Sequence, residues 1–275
     1  MKEIHKKVAI VIPTHKSQPD NNEEISLRCL DNKLGDFNKY IICPENIEPK
    51  ILLKNSKIIK FDKNHFETWP NYNSLLKTNT FWDKFKNYDF ILIYQTDCLV
   101  FKSNIEEWLK LDYSFIGPPQ INLKKEKLGF VGNGGFSLRK VSDHLEALNN
   151  KEIYFMNTKK QTLKYLLGIK RLKYFIFTIF KTFIIYNKKK RIKHGYTFRE
   201  SFIKNSIYPE DIFWCMFGPN LSRNYKVCPP EKAINFGFES APQLAFKLNN
   251  NQKPFGCHNW THYDKLFFQN LLNDK

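Results

Sequence analysis

Three acids and a histidine stand where side chains of their types can do chemistry. Asp97 interrupts the apolar run Phe90–Phe101, FILIYQTDCLVF. A carboxylate buried unpaired between hydrophobic runs costs several kcal/mol, so it must reach water, a donor or a cation. The same surroundings suit a divalent metal that holds a phosphate. Glu210 and Asp211 follow Pro209 at an expected helix start, where proline is favoured. Acids there either serve the helix dipole or supply a general base that takes a proton from a hydroxyl. His258 lies in the loop FGCHNW, and a neutral imidazole there can complete a metal site. Gly132, Gly134 and Gly135 of GNGG carry no Cβ and let the backbone approach a ligand closely. The segment lacks the P-loop spacing and the Lys-Ser/Thr that follows it. It reads as the lining of a sugar pocket or as a tight turn.

These residues need a frame. Val8–Ile12 reads as a buried first strand ended by Pro13, and Asn22–Asn32 as a helix. Tyr40–Cys43 and the IIKF within Ile51–Phe61 read as strands, and Asn71–Phe85 as a helix feeding the Phe90 strand. Strands alternating with helices argue for an α/β architecture with a largely parallel sheet. Ligands of such sheets sit at the carboxyl ends of strands, where Pro13–His15 and Asp97 would lie. Beyond Asp97, Ile105–Leu111 is expected as a helix, Phe115–Gly117 as a strand and Ser137–Asn149 as a helix. PEDIFWCMF reads as a further helix, followed by two short strands and the FGCHNW loop. No repeat or domain boundary divides residues 1–275.

Composition narrows the partners. Lysine and arginine outnumber acids 44 to 27, a formal net charge of +17. That implies an anionic partner (nucleic acid, acidic membrane or phosphorylated substrate), although an AT-rich genome would also produce much of the bias. Six cysteines without a CxxC pair argue against a zinc site or disulfide framework and for a reducing cytoplasm. MKEIHKKVAIVIPTH, with a five-residue apolar run before Pro13, does not read as a signal peptide. No charge-free apolar run approaches the roughly 20 residues of a membrane-crossing helix. The expectation is a soluble or peripheral protein.

One segment stands apart, a basic helical insertion over 161–204. Within Gln161–Lys193, Lys164, Lys170, Arg171, Lys173 and Lys181 share one half of a helical wheel. Tyr165, Ile169, Leu172, Ile176, Ile179 and Phe183 line the other, and Lys188, Lys189, Lys190, Arg191 and Lys193 follow. This pattern suits an anionic membrane surface. An ordinary helix packed on the core and a homodimer contact are the alternatives.

VIPTHK, YQTDCLVF, GNGGFSLR, PED and PFGCHNW occur in the order seen in GT-A-fold nucleotide-sugar glycosyltransferases. More closely, the chain resembles a bacterial family first catalogued as a domain of unknown function and classed with those enzymes. The resemblance runs from about Lys7 to Trp260 and is weak over Gln161–Lys204. It implies a GT-A-like, Rossmann-type mixed and mostly parallel sheet flanked by helices. Pro13, Thr14 and His15 would cradle the nucleobase and ribose. Gln95-Thr96-Asp97 stands in place of an acidic DxD motif, Asp97 holding Mn²⁺ or Mg²⁺ on the diphosphate. Gln95 departs from that motif, and its amide can hydrogen-bond a ribose or sugar hydroxyl instead. Gly134, Gly135 and Phe136 match the loop that shapes the donor-sugar and acceptor pocket. Glu210 and Asp211 match the acidic pair that supplies the base, Asp211 in first place, and His258 matches the histidine that closes the metal site. Glu239 lies where the family also carries an acid, its role open.

The implied reaction moves a sugar from a nucleotide-diphosphate sugar, UDP-sugar first, to a hydroxyl of a bacterial surface-glycan or glycolipid acceptor, with inversion. A retaining outcome stays open. The setting would be the inner face of the cytoplasmic membrane. A catalytically silent membrane-associated scaffold of the same fold, or a basic metal-dependent nucleic-acid-binding protein, are the alternatives. The concentration of positive charge beside an apolar helix argues for lipid and against nucleic acid.

Overall fold

The computed structural model describes residues 7–150, 169–190, 198–206 and 208–273. Four strands, Val8–Pro13 (β1), Asn38–Pro44 (β2), Ser56–Phe61 (β3) and Phe90–Tyr94 (β4), run parallel. Val8, Ile10 and Ile12 of β1 face a layer containing Leu27, Leu30 and Leu34 of the helix Asn21–Leu34. Ala9 and Val11 face the opposite layer, with Leu75, Phe81, Trp82 and Phe85. Alternate side chains point to opposite faces of a strand, so an unbroken apolar run is what a strand covered on both sides requires. The helix Asn21–Leu34 begins with a capping box, in which Asp20 accepts from the Asn22 and Glu23 amides and Glu23 accepts from the Asp20 amide.

Leu99–Val100 (β5), Phe115–Ile116 (β6), Pro119–Asn122 (β7), Lys127–Val131 (β8) and Phe136–Lys140 (β9) come next. The main sheet has the order β3-β2-β1-β4-β9-β6. β9 pairs antiparallel with β4, and β6 antiparallel with β9, which makes the sheet mixed but mostly parallel. Here the structure departs from the sequence reading. Ser137–Lys140 was expected in a helix, but it extends along β4 with Phe136 opposite Tyr94, and the helix starts only at Val141. Pairing with a buried central strand outweighs the local preference of a short segment. Asn71–Phe85 is likewise not one helix. Trp69–Leu75 and Asn79–Trp82 are separate, broken where Thr78 turns to cap the second, and a 3-10 turn follows at Asp83–Phe85. The β7–β8 hairpin was not anticipated.

Gly237–Phe238 (β10) and Gly256–Cys257 (β11) form a small sheet with β5, in the order β10-β11-β5. β11 runs parallel to β10 and antiparallel to β5, with Phe238 and Leu99 both opposite Cys257. This register decides where the late loop sits.

Within the basic insertion, Ile169–Lys190 is a helix packed beside the helix Phe198–Asn205. Ile179 packs against the main core and Thr182 is buried, its carbonyl accepting from Ser201 Oγ at 3.1 Å. Ile176, Phe177, Phe180, Phe183 and Ile184 stay exposed. The outward apolar side therefore runs through those residues, and Ile179, placed with Ile176 and Phe183 by the wheel, turns inward. Gln161–Gly168 and Arg191–Lys193, with Lys164 and Tyr165, lie outside the described residues, as do the side chains of Ile169–Lys173 and Lys190. No described helix is long and apolar enough to cross a membrane.

Candidate active site

The carboxyl ends of β1 and β4 open into a cavity of about 540 Å³ lined by Pro13, Thr14, His15, Trp69, Thr96 and Asp97. Thr14 is fixed through its amide to Ile42 O at 2.9 Å, and its hydroxyl accepts from the Lys16 amide at 3.1 Å. Thr96 Oγ1 donates to Glu23 Oε1 at 2.6 Å, and Lys16 Nζ lies 2.9 Å from Glu23 Oε2. Thr96 thus ties the Gln95–Asp97 segment to the first helix.

Those partners come from the small sheet. The β5–β11 register carries His258 beside Asp97, and the Trp260 amide donates to Asp97 O at 3.2 Å. The β10–β11 register carries Glu239 beside His258. His258 Nδ1 lies 2.9 Å from Glu239 Oε1, while Nε2 lies 3.3 Å from Asp97 Oδ1 and 3.0 Å from Gln95 Oε1. Asn259 Nδ2 also donates to Glu239 Oε1, at 3.1 Å. Burial opposes charge on His258, but the hydrogen bonds and negative charges of Asp97 and Glu239 outweigh it and raise its pKa to about 9. Burial likewise pushes the Asp97 and Glu239 carboxyls up, and the imidazole brings both below their ordinary values.

The donor set fits a divalent cation that displaces the proton these acids hold on the imidazole. Asp97 Oδ1 is buried and accepts no well-aligned hydrogen bond. It shares a small volume with His258 Nε2 and Gln95 Oε1. The Glu239 carboxylate on Nδ1 is the partner that turns the other ring nitrogen toward a metal. Cys98 Sγ also lies near, but it donates to Gly135 O and burial holds its thiol pKa well above the ordinary value. A neutral thiol is a poor ligand for a hard cation. The glycine loop closes the site from the other side, the Gln95 amide donating to Gly135 O at 2.9 Å. A Cβ on Gly135 would collide with His258 Nε2, and one on Gly134 would stand 2.6 Å from Glu210 Oε1. Asn133 Oδ1 holds the loop by accepting from the Gly135 and Phe136 amides. Phe136 itself packs into the aromatic core against Phe236 and Phe255.

A second cavity of about 340 Å³ lies beyond this point, bounded by Trp69, Gln95, Gly134, Asp211, Glu239 and His258. The adjacent acids of PED have different environments. Glu210 is buried, with both oxygens held by Arg139 at 2.5 and 2.7 Å, and its amide donates to Asn73 Oδ1 at 2.7 Å. Arg139 is fully buried and lies over the Phe115 ring. Burial disfavours its charge, but Glu210 more than restores it. Among the described residues, Asp211 has no such partner. Burial, then the neighbouring charge of Glu210, raises its pKa to about 7. Arg139 falls in a segment whose sequence reads as a helix but which is strand β9. No spacing pattern links it to Glu210.

A family model described as "Protein of unknown function (DUF5672)" matches residues 55–258. The chain belongs to the DUF5672 family. Gln95, Asp97, Gly135, Glu239 and His258 all fall inside the matched span, while Pro13–His15 precede it. No curated protein matches this DUF5672 member. Among solved structures, the apo form of the glycosyltransferase GlyE from Streptococcus pneumoniae TIGR4 is similar at 10% identity and a TM-score of 0.42, over 98% of this chain and 61% of that one. A second GlyE structure gives 11% and 0.40, over 97% and 60%. The galactosyltransferase LgtC, in complex with donor and acceptor sugar analogues, gives 12% and 0.46, over 96% and 95%. The chain thus spans about three fifths of the GlyE chains.

Proposed function

We propose that this DUF5672 protein is a nucleotide-sugar glycosyltransferase. One observation carries the reading: Asp97, Gln95 and His258 converge at one point, and an acid titrating near neutrality, Asp211, stands in the adjoining cavity. The larger cavity takes the nucleoside, with Pro13, Thr14 and His15 at its base-binding end and Thr96 in its wall. Gln95, Asp97 and His258 would hold Mn²⁺ or Mg²⁺, which when bound would supply charge neutralisation for a diphosphate leaving group. Gly134, Gly135 and Phe136 keep the loop close enough for the sugar to lie against backbone.

Asp211 takes the proton of an acceptor hydroxyl, whose oxygen forms the new bond to the anomeric carbon. The bond to the nucleotide diphosphate breaks with its electron pair, and the configuration inverts. A base serves best with a pKa near the working pH, which suits Asp211. Glu210, held by Arg139, fixes the helix start that presents Asp211. UDP-sugars are the first donors to try, and a hydroxyl of a bacterial surface glycan or glycolipid the first acceptor. The exposed face of Ile176, Phe177, Phe180, Phe183 and Ile184, with Lys181 and Lys188 beside it, would rest on an anionic inner-membrane surface, where lipid-linked acceptors reside.

A melting-temperature panel of UDP, GDP, CMP, dTDP and ADP, each with Mn²⁺ and with EDTA, tests the reading. Binding at about a hundred times the dissociation constant adds roughly 2.7 kcal/mol. A selective rise that EDTA abolishes supports the transferase and names the base. No rise with any nucleotide removes it and leaves a scaffold of the same fold.

A further inference from the structure

The smaller cavity has a chemical bias of its own. Lysine and arginine make up 44 of the 275 residues, yet none lines it among the described residues. Its wall carries the Asp211 and Glu239 carboxylates and the side-chain amides of Gln120 and Asn259. Trp69 borders both cavities and is 63% exposed, whereas Trp82, Trp108, Trp214 and Trp260 are each 8% exposed or less. It starts a helix whose Thr68 cap and Pro70 fix the local backbone. A large apolar ring left in solvent where two cavities meet suits a ligand with one apolar face and several polar edges.

We infer that this cavity seats the acceptor's terminal sugar as an uncharged pyranose, its C–H face on Trp69 and its hydroxyls on the amides and Asp211. The inference rests on the glycosyltransferase reading and names its acceptor class. Among the described residues the one cationic group in the wall is His258, already engaged by Asp97 and Glu239. A sugar carboxylate or phosphate would thus lose water beside Asp211 and Glu239 with no unengaged cation to pair with it. Uronic acids, sialic acids and sugar phosphates are therefore disfavoured.

Trp69, the one well-exposed indole, supplies the readout. Acrylamide quenching of intrinsic fluorescence would be measured with methyl glycosides of glucose, galactose, mannose and N-acetylglucosamine, and with methyl glucuronide and the methyl glycoside of N-acetylneuraminic acid. Each is taken to about 50 mM, well above the usual KM range. At least one neutral glycoside should protect Trp69, the two acids should bind at least tenfold more weakly, and Trp69→Phe should abolish the response without lowering the melting temperature. Equal or tighter binding of an acid overturns the inference. So does a silent glycoside panel in protein that the nucleotide panel stabilises, which leaves the transferase standing without this subsite. Protection by neutral glycosides with no nucleotide binding supports the sugar cavity and removes the transferase.

Discussion

Asp211 and Glu210 are neighbours in sequence with opposite fates. Asp211→Asn should leave nucleotide binding intact and lower the transfer rate by about 10²–10⁴-fold, the usual contribution of general base catalysis. The parent's rate should rise with pH through about 7, because the base must be ionised. Stability should move the other way. The Asp211 pKa is higher folded than unfolded, so ionisation favours the unfolded chain, and the penalty grows from about pH 4 to pH 7 and then levels off. Asp211→Asn should therefore melt with the parent at pH 4 and above it at pH 8. Glu210→Gln strands a buried guanidinium and should cost about 3–5 kcal/mol, read as a lower urea midpoint at unchanged slope. Asp97 stands out in the sequence as a carboxylate inside an apolar run, whereas Asp211, at a helix start, and His258, in a loop, take their expected roles from the family resemblance. Arg139 does not stand out, since only the folded β4–β9 pairing brings it to Glu210.

Short elements do most of the positioning. β5, β10 and β11 are two residues each, yet their register brings Asp97, Glu239 and His258 together. Glu239→Ala removes the partner that turns the imidazole and should weaken Mn²⁺ binding by about 10–100-fold, measured by electron paramagnetic resonance titration. Unchanged affinity at an unchanged melting temperature would detach Glu239 from the site. Such strands are hard to read from sequence, because two residues carry no period and their pairing is set across long separations. The long buried strands β1 and β4 were readable for the converse reason. The Ser137–Lys140 misreading belongs here too, a short amphipathic stretch whose state is chosen by its neighbour in the sheet.

At the scale of the whole molecule, the helix Ile169–Lys190 turns one side into the core and leaves Ile176, Phe177, Phe180, Phe183 and Ile184 in solvent. If this face meets anionic lipid, Phe180→Asp with Phe183→Asp should abolish co-sedimentation with phosphatidylserine vesicles while nucleotide binding persists. Parent binding should weaken as salt rises, since the lysine contribution is screened. Undiminished sedimentation of the double variant would assign the contact elsewhere. The hydrogen bond between Gln95 and His258, 163 residues apart, has a consequence in time. A growing chain can lay down β1 to β4 long before residue 258 is made, and contacts of such span form late because closing the loop costs entropy before any contact rewards it. The scaffold can therefore exist, during synthesis, with its Asp97–His258 corner still unassembled. That corner is complete only once β11 pairs with β5.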